Sequence, residues 1–227
     1  MTDMYRTLGI EDLRARLLEH TRKAYTLLRL PEQPRILDIG CGRGLQTIEL
    51  ARLSNGKIIG IDIDNDVLSQ MEQRIKQEGA SAQITVFARS LYETGFDDES
   101  FDLLWEEGVL HLLDVSRSLR ECNRLLKSGG YLVMHETVSW FEGIREKLAV
   151  FGFRHRHIFD HFLPDQYWWT EYGAPLEERI RSFREINNGA AISGELAQYE
   201  QEVAIIKADP SRLNCGFFCI QKSKLIY

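Results

Sequence analysis

Arg35-Ile36-Leu37-Asp38-Ile39-Gly40-Cys41-Gly42-Arg43-Gly44 carries a short apolar run straight into a glycine-rich turn. The Ile- and Leu-rich half suits a buried strand. The glycines at 40, 42 and 44 give a backbone that takes positive φ and lets a ligand approach the main chain closely. A helix follows, and its first N–H groups have no partner within the helix. Strand, glycine turn and helix start together make a docking place for a nucleotide-like ligand. A second buried strand, Lys57-Ile58-Ile59-Gly60-Ile61-Asp62, ends in a carboxylate 20 residues after Gly42, where a ribose diol would be hydrogen-bonded.

Asp38 decides which nucleotide-like ligand fits. A dinucleotide site turns its loop and helix start toward a pyrophosphate, and a carboxylate at the strand end would sit near like charge. The third glycine of the dinucleotide fingerprint should fall at position 45, which is Leu45. The Gly-x-Gly-x-Gly spacing after an acid instead resembles the first motif of class I S-adenosylmethionine-dependent methyltransferases. That cofactor carries an ammonium and a sulfonium, and both tolerate a nearby carboxylate.

The resemblance runs from about residue 30 to 160 and takes in the last strand. Residues 36–44, 60–63 and Phe101-Asp102-Leu103-Leu104-Trp105-Glu106-Glu107-Gly108 are similar to the superfamily's cofactor strands in order and spacing. Leu125-Leu126-Lys127-Ser128-Gly129-Gly130-Tyr131-Leu132-Val133 looks like its helix, turn and fifth strand. The resemblance implies that Asp38 accepts from the methionine ammonium, directly or through water, beside the loop Gly40, Cys41, Gly42 and Gly44. It implies that Asp62 takes the ribose hydroxyls, that Ile63 lies on the adenine face, and that Ser90 and Leu91 stand where many members carry Asp-Ala beside the adenine amino group. Ser90 departs from that acid, so backbone contacts must carry more of the recognition. The bland readings are turn capping for Asp38 and Asp62 and core packing for Ile63.

Composition agrees with a compact enzyme. A chain of 227 residues with 44% hydrophobic content can bury a full core as one domain. No window approaches the 18 or so apolar residues of a membrane span, and the charged first 30 residues lack a signal core. Cys41, Cys122, Cys215 and Cys219 have neither disulfide nor zinc spacing, which suits reduced thiols in a cytoplasm. A net charge of −6 without a basic tract disfavours nucleic acid as a partner. A monomer or homodimer acting on a small-molecule methyl acceptor is expected.

Apolar spacing predicts a helix over 11–29, then strands and helices in alternation: helix 45–53, a helix capped by Asp64, strands near 84–87 and 101–106, and a helix carrying Leu119, Cys122, Leu125 and Leu126. Strand after helix after strand means a doubly wound, mostly parallel α/β sheet. The resemblance implies seven Rossmann-like strands with an antiparallel last strand, here best matched by residues 214–220. A helix over 140–150 and a sixth strand over 153–159 precede it. Between them stands an insert, residues 164–210, reading as helices over 168–186 and 193–207. The expected organisation is one domain: an N-terminal helical cap (1–30), a cofactor core (31–160), a helical cap insert (164–210) and the last strand (211–227). Cap and insert are expected on the substrate side.

Glu106 and Glu107 stand where the fourth strand meets the crevice, and neighbouring strand residues point to opposite faces. Glu107 is the better substrate-side residue, with Glu106 nearer the methionine end of the cofactor. His111 and Glu136 are further bases for the same space, against plain capping or surface roles. Methyl transfer is an in-line displacement helped by alignment and water exclusion, and a hydroxyl or carbon acid must also lose a proton, for which Glu107, His111 or Glu136 is the base. Tyr167, Trp168, Trp169 and Tyr172, with Trp140 and Phe141, suit either a pocket wall or cap packing. His155, His157 and His161 suit an exposed strand better than a metal site, so no metal is expected. The alternatives are a non-catalytic S-adenosylmethionine-binding regulatory or scaffold protein and, with Asp38 and Leu45 against it, a nicotinamide-dependent dehydrogenase.

Overall fold

The computed structural model describes residues 3–153, 157–187 and 194–223. Seven strands form one sheet in the order β3-β2-β1-β4-β5-β7-β6: β1 (Arg35–Ile39), β2 (Lys57–Asp62), β3 (Ile84–Ala88), β4 (Phe101–Glu107), β5 (Leu126–Thr137), β6 (His157–Phe162) and β7 (Cys215–Gln221). β3-β2-β1-β4-β5 pair in parallel. The Gly129 N–H donates to the Lys222 carbonyl (3.2 Å) and the Lys222 N–H to the Gly130 carbonyl (2.9 Å), so the end of β7 meets the start of β5 and runs antiparallel to it. The expected mostly parallel sheet with an antiparallel last strand is therefore present.

Near-continuous burial along β1 and β4 follows from helices covering both sheet faces. The helices between strands are α4 (Leu45–Leu53), α5 (Asn65–Gln77), α6 (Val115–Leu125) and α7 (Val138–Arg145). Three of them start at side-chain caps. Asp64 accepts from the Asp66 and Val67 N–H groups, Asp114 from Arg117, and Thr137 from Trp140. On one face of the sheet, Leu119, Cys122 and Leu125 of α6 pack with Leu37, Leu104, Leu132 and Met134, and Phe141 stacks on Phe218 at 3.9 Å between centroids.

The described chain sorts into two compact units, one of residues 20–161 with 216–227 and one of residues 1–19 with 162–215. The first holds the cofactor strands. The second has its own core, in which Met4, Leu8, Ile10 and Leu13 pack with Tyr172, Leu176, Ile180, Leu196, Val203 and Ile206. The N-terminal segment and the insert thus share one apolar cluster. Its helices are α1 (Met4–Thr7), α2 (Ile10–Arg14), α8 (Ala174–Ile186) and α9 (Gly194–Ala208), and α3 (Leu18–Thr26) runs across the division.

Three boundaries differ from expectation. The helix expected over 11–29 is broken: α2 ends at Arg14, a 3₁₀ turn over Ala15–Leu17 precedes α3, and α3 stops at Thr26. Upstream of that range, Gly9 at φ 58 separates α1 from α2, and Arg179 donates to the Leu8 and Gly9 carbonyls there. Leu126 begins β5 instead of ending α6. The sixth strand lies later than 153–159, because Phe153 turns into the core behind Gly152 at φ 83 and is only 2% exposed. His155 and the side chain of His157 lie outside the described residues. His161 Nε2 is 2.9 Å from His20 Nδ1. Among the described residues no three His, Cys, Asp or Glu side chains form a metal-binding group.

Candidate functional site

Strand order reverses at β1, so the crevice of this sheet opens at the carboxyl ends of β1 and β4. The β1 loop carries Gly40, Gly42 and Gly44 at φ 69, 51 and 80. A Cβ on Gly40 would lie 2.4 Å from Val109 Cγ2, so only glycine fits there. Gly42 has the opposite surroundings: its Cβ would meet nothing nearer than the Gly40 carbonyl at 3.9 Å, which leaves room for a ligand against the main chain. The loop donors are turned inward. Gly40 and Cys41 donate to the Ile61 carbonyl, Gly44 to Cys41, and Gly42 to Asp62 Oδ2 at 2.9 Å. A diphosphate needs those N–H groups, so this loop suits a different ligand.

Alternation along the strands sorts the acids into two groups. Asp38 pairs with Trp105, so Trp105 and Glu107 share its face. Asp38 is 3% exposed, and Thr47 of α4 donates to its Oδ2 at 2.5 Å. Burial, with the Asp62 charge adding to it, pushes the Asp38 carboxyl up to about 7. Glu107 Oε1 accepts from Trp105 Nε1 (2.8 Å) and the Thr21 hydroxyl of α3 (3.0 Å), and burial pushes this carboxyl up to about 7 as well.

The other face holds Glu106, Glu136 and His111. Glu106 is fully buried, and its Oε2 accepts from the Val109 (3.0 Å) and Leu110 (3.3 Å) N–H groups. Glu136, 4% exposed, accepts from the His111 N–H (3.1 Å) and lies against His111 Nδ1 at 3.1 and 2.9 Å. Burial raises both carboxyls. The Glu136 charge raises Glu106 further, whereas His111 draws Glu136 back down. His111 is 42% exposed, so a buried acid orients a half-open imidazole. Glu107, not Glu106, is thus the β4 acid beside Asp38, while His111 and Glu136 form one unit.

At the rim, Asp62 accepts from Gly42 through Oδ2 and from the Asp64 N–H through Oδ1 (3.0 Å). Ile63 is 78% exposed, which rules out the core-packing reading. Ser90 caps a 3₁₀ turn over Leu91–Glu93 by accepting from the Tyr92 N–H, and the Leu91 side chain is buried in the core, which leaves this pair its backbone to offer. Cys41 Sγ fills the space over Gly60, where a Cβ would approach it to 2.9 Å.

Tyr167 and Tyr172 are buried, and Trp168 and Trp169 pack on the second unit's core, with Lys207 Nζ 5.7 Å from the Trp169 ring centre. Packing accounts for these aromatics. Sequence reading missed Thr21 and Thr47. Thr47 carried a usable signal, a hydroxyl on the inner face of the helix after the glycine loop.

A family model described as a methyltransferase domain matches residues 37–134. The demethylmenaquinone methyltransferase of Bacillus velezensis is 31% identical over 182 residues, covering 72% of this chain and 74% of that protein. The chain belongs to the class I S-adenosylmethionine-dependent methyltransferases. Methyltransferase GfsG of Streptomyces halstedii is 28% identical over 119 residues, covering 52% of this chain and 43% of its own length. The chain spans about half the length of several such curated relatives. Among solved structures, the cyclase SpnF superposes with a TM-score of 0.76 at 18% identity, covering 92% of this chain and 81% of that one. This last likeness speaks for the fold alone. Among the described residues no helix is long and apolar enough to cross a membrane.

Proposed function

We propose that the protein moves a methyl group from S-adenosylmethionine to a small-molecule acceptor. The observation that carries the reading is Asp38, a carboxylate buried to 3% exposure beneath a glycine loop in which the Gly40, Cys41, Gly42 and Gly44 N–H groups are already bonded within the protein. Such a site accepts a cation and rejects a diphosphate. The residues fit the cofactor along its length. Asp38, with Glu107 on the same face, takes the ammonium; Gly40 to Gly44 give the main chain close approach; Asp62 takes the ribose hydroxyls; Ile63 covers the adenine; and the Ser90-Leu91 backbone reaches its edge.

When bound, the cofactor supplies an electrophilic methyl on a sulfonium and leaves as S-adenosylhomocysteine. The chain's own part is positioning, exclusion of water and proton removal. Glu136 accepts from His111 Nδ1, which selects the tautomer with Nε2 free to take a proton from a hydroxyl or carbon acid. The relatives' names support small acceptors: demethylmenaquinone in one, dimethylglycine in another. Four buried free thiols support a reducing cytoplasm, and the net charge of −6 supports a partner other than nucleic acid.

Thermal unfolding with S-adenosylhomocysteine tests the cofactor step, and release of labelled methyl onto phenols, secondary amines and 1,3-dicarbonyls tests turnover. Stabilisation by the cofactor product with transfer to one of these classes is expected. Stabilisation with no transfer to any class would favour the non-catalytic binding protein.

A further inference from the structure

We propose that Glu106 is a positioning residue that keeps a proton on Oε1 and, by staying neutral, holds the neighbouring Glu136 carboxylate charged as the anchor of His111. The proposal rests on the reading of His111 as the base.

Geometry supplies the argument. Glu106 has no exposed surface. Its Oε2 accepts from two backbone N–H groups, but its Oε1 is buried and meets no hydrogen-bond donor. Met134 is in register with Glu106, so Glu136, two residues on, projects from β5 on the same face. Two ionised carboxylates so placed repel each other in a site closed to water, and one oxygen would remain uncompensated. A single proton removes the repulsion and leaves a neutral oxygen where a charged one would stand, which costs far less to bury. The partners decide which acid holds it. Both Glu136 oxygens face an imidazole able to become a cation, while Glu106 has two neutral N–H groups on one oxygen only. The remaining titratable neighbours are Glu107 on the same strand and the Cys122 thiol of α6, which burial keeps neutral. A charged Glu136 then stabilises the imidazolium formed when His111 takes a proton at Nε2.

The test uses the whole chain without an acceptor. The His111 imidazole is followed by NMR against pH and assigned through its loss in H111N. If Glu106 is neutral, Glu106→Gln removes no charge, and the His111 midpoint moves by less than about 0.3 pH unit. Glu136→Gln lowers it by about one unit or more. A fall of about one unit in E106Q, matching E136Q, overturns the proposal. Infrared spectra of the unmodified protein give a second readout, recorded at about pH 8.5, with D38N and E107Q marking any band that comes from the other two buried acids. A protonated-carboxyl band lost in E106Q supports the proposal, and no such band overturns it. Turnover of H111N decides separately whether His111 is the base.

Discussion

Asp38→Asn removes the charge and keeps an acceptor for the Thr47 hydroxyl, so it isolates the electrostatic role of this residue. A hydrogen bond to a charged group contributes roughly 1.5–3 kcal/mol, so S-adenosylhomocysteine should bind D38N about tenfold to a hundredfold more weakly at pH 8. The pH dependence sharpens the test. With its carboxyl raised to about 7, Asp38 must give up a proton to receive the ammonium, so below pH 7 wild-type affinity falls about tenfold per pH unit. Glu107, also near 7, titrates with it as a pair, which permits a slope between one and two protons. The D38N slope should be shallower by one proton. Stability of the ligand-free protein moves the other way. An acid whose folded value lies above its unfolded one costs nothing below the unfolded value, and its cost grows as pH rises to the folded value. For a shift from 3.8 to about 7 that cost reaches at most about 4 kcal/mol. D38N should therefore melt higher than wild type at pH 8, with the gain fading toward pH 4. Calorimetric titration between pH 5.5 and 8 measures the first effect and unfolding scans the second. Unchanged affinity and slope in D38N would refute the assignment of Asp38 to the ammonium.

Ile63→Ser should leave the melting temperature unchanged, since the side chain is 78% exposed, and weaken S-adenosylhomocysteine by about 1 kcal/mol, roughly fivefold. Gly40→Ala forces a Cβ to 2.4 Å from Val109 at φ 69, and denaturant unfolding should show a loss of roughly 2–4 kcal/mol. His111→Asn should keep cofactor affinity while lowering kcat by about a hundredfold or more with phenolic or carbon-acid acceptors. An amine that arrives unprotonated should be spared, so methyl release compared across the acceptor classes checks this.

The cofactor half of the fold was legible because local chemistry and tertiary position agree there. Leu45–Leu53 and Lys57–Asp62 stand where apolar spacing places them, and Asp64 caps α5 as its sequence position requires. Legibility failed where packing overrides local pattern. A 3₁₀ turn over Ala15–Leu17 interrupts an apparently continuous N-terminal helix, and Phe153 reads as a strand residue but fills the core. Pairings between segments distant in sequence were equally hidden. No spacing rule joins His111 to Glu136, 25 residues away, or Thr21 to Glu107, 86 residues away.

On the proposed reading, two adjacent glutamates at the end of β4 divide two tasks. Cofactor binding calls for a carboxylate ready to ionise beside an ammonium, and Glu107 lies on the face of Asp38. Proton removal from an acceptor calls for a fixed imidazole whose anchoring acid stays charged, and Glu106 lies toward Glu136 and His111. Strand alternation keeps the two acids on opposite faces, so each is tuned first by its own surroundings, with the Glu107 charge only a small addition to the rise at Glu106. The arrangement makes a prediction about exchange: Glu107→Gln should weaken S-adenosylhomocysteine binding while leaving the His111 titration midpoint in place, and Glu106→Gln should leave cofactor affinity in place. If either substitution moved both quantities together, the two faces would be one electrostatic unit, and a single shared role for the glutamate pair would replace the division argued from alternation.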